Sequence, residues 1–309
     1  MIQSFFMVGQ QVLHLFIIVA IGYVLGKVKL IGGPASVGMS NLVMYVVSPC
    51  MLVVAFQRPL EADTFRNFCV ALAAAAVIHL LNIAAAQTVV RDKDLQRQQA
   101  LRFSTVFSNS GFMAYPLQTA LLGTIGVFYG SAYVLIFNIA AWTYGLWLMG
   151  GKEGKLSWRP LVFNPGILGV AVAMTLYLLG ITLPEIILTP VTWLSNLNTP
   201  LPMVVLGYQL SQADLRAVLR HGSMWVGTAL RLLILPAAAL VLCLIFRLDA
   251  PVLIATVVAS SAPSAAILTM FAAKFDRDTA LTSGIVAVQT LFSVITMPLI
   301  VGLAQYLVS

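Results

Sequence analysis

Charge is what this 309-residue chain has least of: 9% of its residues are Asp, Glu, Lys or Arg, against about 25% in a soluble domain. With 60% hydrophobic residues and a mean hydropathy of +0.97, it reads as an all-α, polytopic integral membrane protein with little mass outside the bilayer. Cysteine is scarce as well. Cys50, Cys69 and Cys243 lie scattered in apolar runs without metal-ligand spacing, so neither a disulfide framework nor a metal centre is expected, and they read as small core residues. No basic stretch precedes the first apolar run and no small-residue cleavage pattern follows it. That run is therefore expected to remain as a span.

Acidic groups are missing from the apolar runs altogether. Glu61, Asp63, Asp92, Asp94, Glu153, Glu185, Asp214, Asp249, Asp276 and Asp278 all map to loops or span ends. Proton and sodium carriers often keep a carboxylate inside the membrane. Without one, ion coupling would have to use a substrate's own proton, a histidine or neutral oxygens. An intramembrane enzyme would need paired aspartates, a serine with a histidine or a metal cluster, and the chain supplies no such set. Neither catalysis nor a cofactor is expected.

What is present is a series of apolar runs. Cutting at charged or Gly/Pro-rich breaks gives ten candidate spans, roughly 5–26, 39–57, 67–90, 103–122, 127–149, 162–181, 191–210, 223–246, 251–273 and 281–305, each near the ~20 residues needed to cross. The net charge of +7 suggests a nucleic-acid partner at first sight, but its distribution points to the bilayer. Thirteen of the 17 Lys and Arg residues follow odd-numbered spans, from Lys27 and Lys29 to Lys274 and Arg277. Only Arg58, Arg66 and Arg247 lie on the opposite side. That asymmetry predicts a plasma (inner) membrane protein with both termini on the non-cytoplasmic side. Trp147, Trp158, Trp193 and Trp225 fall near span ends, as an aromatic belt would place them.

Two of the spans are interrupted. Ser108-Asn109-Ser110-Gly111-Phe112-Met113-Ala114-Tyr115-Pro116 breaks the fourth, and Ser260-Ser261-Ala262-Pro263-Ser264 breaks the ninth. Proline has no N–H and glycine is a poor helix former, so both helices are expected to open, at Pro116 and Pro263. Lipid cannot satisfy the freed backbone, which must face protein or a water-filled cavity. An ungapped offset of 151 lays Pro49, Val53, Val54, Ala62 and Asp63 on Pro200, Val204, Val205, Ala213 and Asp214. The same offset puts Ser110 on Ser261 and Asn138 on Gln289. Repeats of five spans each, an odd number, must be inverted, and inverted repeats with discontinuous helices are typical of secondary transporters. The expected halves are 1–150 and 161–309, joined by a cytoplasmic connector at 151–160.

Half-helices that begin at the bilayer centre aim free N–H groups and a positive dipole end at the middle, which suits a small carboxylate. The expected binding set is Asn109, Ser110, Gly111, Phe112, Tyr115, Pro116, Ser260, Ser261, Pro263 and Ser264, with Asn138, Gln289 and Pro49 from neighbouring spans. Plain close packing of small residues is the alternative for each break alone. Arg231, the sole charge well inside a span, either balances an anion or snorkels to the cytoplasmic face. His14 and His79 read as polar groups satisfied in helix contacts rather than proton carriers, and His221 as interfacial.

These residues resemble the auxin efflux carrier family, which includes plant PIN-type exporters and bacterial malonate-type carriers. The likeness runs through Asn41 to Pro49, Asn109 to Leu117, Asn164-Pro165, Leu230 to Pro236, Ala262-Pro263 and Phe271 to Asp276. It implies ten helices in two inverted five-helix repeats, with spans 4 and 9 crossing at their prolines. A scaffold of spans 1, 2, 6 and 7 would stand beside an elevator-like transport unit of the remaining spans, in a homodimer. It also implies that Asn109 helps hold the substrate carboxylate. The long central loop of the plant exporters is absent, only Gly150 to Pro160 standing in its place, which favours a bacterial-type carrier of small organic acids over auxin. A sodium-coupled bile-acid-type symporter or a transporter fold kept as a sensor or scaffold are the competing readings. The former would be expected to show acidic ligands within its spans.

Overall fold

A computed structural model describes residues 2–151, 163–213 and 215–308. Every regular element among them is helical. In chain order these are α1 (Ile2–Lys27), α2 (Gly33–Phe56), α3 (Ala62–Val89), α4 (Leu95–Val106), α5 (Tyr115–Leu122), α6 (Thr124–Gly150), α7 (Pro165–Leu178), α8 (Glu185–Ser195), α9 (Pro200–Gln212), α10 (Leu215–Leu219), α11 (Gly222–Ile245), α12 (Ala250–Ser261), α13 (Ile267–Lys274) and α14 (Thr279–Val308). Six stretches, Phe5–Lys27 within α1 and the whole of α2, α3, α6, α11 and α14, are long and apolar enough to cross a bilayer. Their outward faces carry exposed Leu13, Ile17, Leu80, Val241 and Ile295, the surface of a multi-pass membrane protein. Of the connector expected at 151–160, only Gly151 lies among the described residues.

Local chemistry explains where the helices start. Asp94 closes the N-terminus of α4 by accepting from the backbone N–H of Gln96 at 2.8 Å and Arg97 at 3.1 Å. Asn164 does the same for α7, accepting from Gly166 at 2.9 Å and Ile167 at 3.2 Å, while Pro165 occupies the first turn where its missing N–H costs nothing. Several helices begin ahead of their apolar runs. They do so through polar residues, Asp63 to Arg66 in α3 and Gln96 to Arg102 in α4, which extend helix beyond the hydrocarbon.

Three of the prolines inside spans share one device. A five-residue π turn precedes Pro49 at Val43–Val47, Pro116 at Ser110–Ala114 and Pro236 at Leu230–Ile234, ending in each case two residues before the ring. Widening the turn relieves the clash between the proline ring and the preceding carbonyls. The expected break at Pro116 is therefore displaced. Pro116 sits in the first turn of α5, and the chain leaves helical geometry earlier, at Phe107 to Asn109. The ninth span does open around Pro263, with α12 ending at Ser261 and α13 starting at Ile267. The seventh span is also divided, into α8 and α9 around a 3-10 turn at Asn196–Asn198.

Three hydrophobic clusters hold the helices together. One joins α1, α9, α12 and α14 through Val12, Met203, Val257 and Val301. A second gathers Phe103, Phe107, Phe137 and Phe271, and a third Phe56, Phe68, Phe128 and Tyr177. Within the first, α1 and α9 touch backbone to backbone. A Cβ on Gly207 would lie 2.0 Å from the Val19 carbonyl oxygen, and one on Gly22 2.3 Å from that of Val204, so only glycine permits the approach. Of the cysteines, Cys243 is core, whereas Cys50 is half-buried and Cys69 exposed. The correction has a simple cause: in a bilayer protein an apolar run also supplies the lipid-facing surface.

A polar clasp ties the α3–α4 loop to the start of α11. Asp92 accepts from Arg97 Nη2 at 2.7 Å and Nε at 2.8 Å and also from the Ser223 hydroxyl, while Arg97 Nη1 stands 3.2 Å from His221 Nε2. The Arg97 guanidinium beside Asp92 holds its carboxyl well below the usual carboxylate range. A depressed carboxylate contributes stability that is complete above its unfolded pKa of about 3.9 and fades as pH falls below it. We expect Asp92→Asn to cost about 2 kcal/mol near neutral pH. The variant should then lose less additional stability than wild type between about pH 5 and pH 3. Thermal melts of the purified protein would show this, and parallel acid limbs for the two proteins would contradict it.

Candidate functional site

The two interrupted segments meet. Ser108 and Ser264 form an isolated antiparallel bridge, made by the Asn109 N–H donating to the Pro263 carbonyl at 2.6 Å and the Ala265 N–H donating to the Phe107 carbonyl at 2.9 Å. Backbone groups that lost helical partners thus satisfy one another, as the absence of water requires. Phe107 and Ala265 belong to the aromatic cluster, Ala262 and Met113 to the α1 cluster, and Tyr115 to the third. The bridge lies where the three cores converge.

Four helix ends surround that bridge. The turn Ser110–Ala114 leading into α5, and α13 beginning at Ile267, present N-termini. The ends of α4 at Val106 and α12 at Ser261 are C-termini. Arg231 answers the latter pair. It is fully buried, and its guanidinium donates through Nη1 to the Thr105 carbonyl at 3.0 Å and the Val106 carbonyl at 3.2 Å, and through Nη2 to the Ser260 carbonyl. A cation is favoured at a helix C-terminus, and this one serves two. The result is asymmetric: the negative ends are neutralised and the positive ends are not. Snorkelling is thereby excluded for Arg231.

Asn109 lies at the positive side. Its side-chain oxygen accepts from the Phe112 N–H at 3.4 Å, its amide Nδ2 is buried without a partner, and the residue is 5% exposed. Gly111 and Phe112 beside it are only half-buried, and a Cβ added to Gly111 would meet nothing within 4 Å, so the backbone here borders open space. The hydroxyls of Ser108, Ser110, Ser260 and Ser264 are buried and unpartnered. The Asn109 amide and these hydroxyls can each donate a hydrogen bond, as a carboxylate requires.

Not every expected site residue is brought here. Ser261 spends its hydroxyl on the Val258 carbonyl at 3.0 Å. The expected superposition of Ser110 on Ser261 also fails, since Ser110 opens the helical segment after its break and Ser261 closes the helix before the other. Gln289 reaches Ser104 at 3.3 Å, on the Arg231 side of the bridge. Asn138 donates to its own helix at Val134 and packs by Asn164 and Gly166 at the head of α7. Pro49 packs on Gly169, next to a Ser48–Asn198 contact of 3.2 Å. Pro263 and Pro116 are buried in the junction, and the Tyr115 hydroxyl is buried and unpartnered in the third cluster. The residues that the sequence did not assign to the site are Thr105 and Val106, whose carbonyls accept from Arg231. Backbone acceptors leave no mark in residue identity, although a lone buried cation with no acid in reach was itself a signal. Among the described residues no group of three or more His, Cys, Asp or Glu side chains could hold a metal ion.

The Phe271 to Asp276 stretch supports the junction from outside. Phe271 meets Phe103 edge-on at 5.6 Å and Trp142 at 5.2 Å, Lys274 stands over the Trp142 ring at 5.7 Å, and Asp276 turns the chain with φ of 48°. Trp147, Trp193 and Trp225 are exposed at 57%, 69% and 45%, while Trp158 lies outside the described residues.

Comparison with known proteins gives a family. The family described as "Membrane transport protein" matches residues 7–158 and 152–301. A relative described as an uncharacterized transporter from Methanothermobacter thermautotrophicus is 27% identical over 301 residues, covering 94% of this chain and 96% of the relative. Another, from Methanocaldococcus jannaschii and described in the same words, is 22% identical over 301 residues, covering 93% and 96%.

Replacing Arg231 by methionine should leave three buried carbonyls without their charged donor, at a cost of about 3–5 kcal/mol. Lysine should recover only part of that, because a single ammonium lacks the planar fork that bridges two helix ends. A melting temperature for Arg231→Met equal to wild type would refute this assignment.

Proposed function

The chain belongs to the membrane transport protein family of auxin efflux carriers, and from that premise we propose that it is a secondary transporter of small carboxylates working by alternating access. In this reading ten spans form two inverted five-helix repeats, 1–150 and 161–309, with both termini on the non-cytoplasmic side of the plasma membrane. Spans 4 and 9 are the crossed pair. The unit that carries them moves elevator-like against a scaffold of spans 1, 2, 6 and 7, within a homodimer.

One observation carries the proposal: the antiparallel bridge at Ser108 and Ser264 joins the two interrupted segments, so that a helical segment begins within three residues of it on either side, at Ser110 and at Ile267, and the Asn109 amide there is unpartnered. Two N-termini supply about half a positive charge each, and their backbone N–H groups point at a ligand between them. Arg231 strengthens the field by neutralising the opposing C-termini. Asn109 Nδ2, the Ser110 and Ser264 hydroxyls and the half-exposed backbone at Gly111 and Phe112 are the ligands we assign. Tyr115, Pro116, Ser260 and Pro263 shape the junction around them. Gly111 matters for lack of a side chain, since the space its Cβ would enter is the space a carboxylate needs.

Purified protein in liposomes, tested for uptake of labelled mono- and dicarboxylates with malonate as the first probe, should show saturable flux. Asn109→Ala should reduce that flux at least tenfold, equivalent to about 1.4 kcal/mol of lost binding, with a melting temperature within a few degrees of wild type. Flux in the variant equal to wild type would remove Asn109 from the site. No saturable flux of any carboxylate would overturn the carrier reading itself.

A further inference from the structure

We propose that the cavity where α3, α4 and α6 meet binds the headgroup of an anionic glycerophospholipid, with Arg102 taking the phosphate and Gln99 a headgroup hydroxyl. The cavity has a volume of about 360 Å³, and none of its lining residues belongs to the carboxylate site assigned above. The apolar spans of α3 and α6 end at Val89 and Gly150, and the walls take Gln87 from the one and Trp147 and Leu148 from the other. The cavity therefore opens at a membrane face, at the level where hydrocarbon gives way to headgroups. Trp147 and Leu95, which also line it, are 57% and 64% exposed, as suits an aromatic ring and an apolar rim at the interface. Ligand pockets run from about 300 to 1,000 Å³. A space at the small end of that range admits a headgroup and leaves the acyl chains in the bilayer.

Arg102 is held in place by neutral groups alone. Its Nε donates to the Val90 carbonyl at 3.1 Å and its Nη2 to the Gln87 carbonyl at 3.2 Å. With the Gln98 amide turned to suit its neighbours, the Gln98 oxygen accepts from Nη1 at 3.2 Å and Nη2 at 2.7 Å. A guanidinium has five N–H groups, so at least one on Nη1 is left over. The ion pairs among the described residues are Arg66–Asp63 and Arg97–Asp92, and Arg102 has none there. The nearest acids in sequence are engaged elsewhere: Asp92 accepts from Arg97 and Ser223, and Asp94 caps α4. Closing the C-terminus of α3 explains two of the Arg102 hydrogen bonds but not the cavity beside it. A guanidinium fixed in position, with its charge uncompensated, is a ready receptor for phosphate.

Gln99 narrows the choice of ligand. Its Oε1 is buried without a hydrogen-bond partner, whereas the other glutamine in the walls, Gln87, donates its amide to the Tyr144 hydroxyl at 2.6 Å. An ionised phosphodiester only accepts hydrogen bonds, so by itself it would answer Arg102 and leave Gln99 unsatisfied. A phosphate esterified to a polyol answers both, and the glycerol headgroup of phosphatidylglycerol has that chemistry. Soluble glycerol phosphate shares it. The lipid is the better match because the cavity opens at the ends of two spans, where a basic pocket between helices meets anionic headgroups directly.

The test is native mass spectrometry of the purified protein in mild detergent, titrated with phosphatidylglycerol, with phosphatidylmethanol, which carries the same charge and no hydroxyl, or with phosphatidylcholine. Wild type should retain phosphatidylglycerol in preference to phosphatidylcholine and bind phosphatidylmethanol several-fold more weakly. Arg102→Gln should weaken retention of both anionic lipids about tenfold, the loss of one charge-assisted hydrogen bond, and leave phosphatidylcholine unchanged. Gln99 makes no side-chain hydrogen bond among the described residues, so Gln99→Leu should fold, and it should bind the two anionic lipids equally. No preference of wild type for phosphatidylglycerol, equal retention by wild type and both variants, or a Gln99→Leu protein that still favours phosphatidylglycerol over phosphatidylmethanol would each overturn the proposal. Displacement of the lipid by equimolar glycerol phosphate would give the cavity to a soluble ester instead and refute the lipid assignment. Should Arg102→Gln fail to fold, the lipid preference of Gln99→Leu decides alone.

Discussion

Two helix ends of the same sign cannot face each other in a dry interior unless something of opposite sign stands between them. The meeting of α4 and α12 is that situation, and Arg231 resolves it by donating to Thr105, Val106 and Ser260. Much of the surrounding structure follows from the need to keep this guanidinium in place and dry. Aromatic rings from α4, α6 and α13 seal one side. The close contact of α1 with α9 and the apolar packing of α12 and α14 seal another. With the negative ends neutralised, the remaining helix termini give the junction a positive field without any exposed charge.

Satisfying backbone by backbone is the second constraint. A broken helix in lipid would strand several N–H and C=O groups at a cost of several kcal/mol each. Here each break supplies what the other lacks, through Asn109 to Pro263 and Ala265 to Phe107. Neither interruption is tolerable alone, so the two segments must dock together for either to be stable. Asn109 keeps its amide nitrogen out of this exchange.

Much of this was legible in the residues. Hydropathy placed the apolar helices, and their C-terminal limits agree closely with the structure, as with Phe56, Val89 and Ile245. Proline and glycine flagged the fourth and ninth spans as interrupted, but not the seventh. They misplaced one of the breaks, because Pro116 is accommodated by the π turn before it rather than by rupture at the ring. The same solution recurs before Pro49 and Pro236. Asn138 and Gln289 sat at suggestive depths, yet depth says nothing of direction. Asn138 turns toward α7 and Gln289 toward Ser104.

The sequence by itself determined what depends on composition read along a line: a set of apolar runs with the acidic residues kept to loops and span ends, and an uneven distribution of basic residues along the chain. Those properties are local, since transfer to lipid concerns a residue and its near neighbours. Only the tertiary structure decided which carbonyls Arg231 holds, that His79 keeps one nitrogen free beside Tyr133, and that two breaks more than a hundred residues apart in the chain become one junction. These are pairings between distant groups, many of them backbone atoms that every residue carries alike. Folding selects among them by geometry, which residue identity does not encode one position at a time.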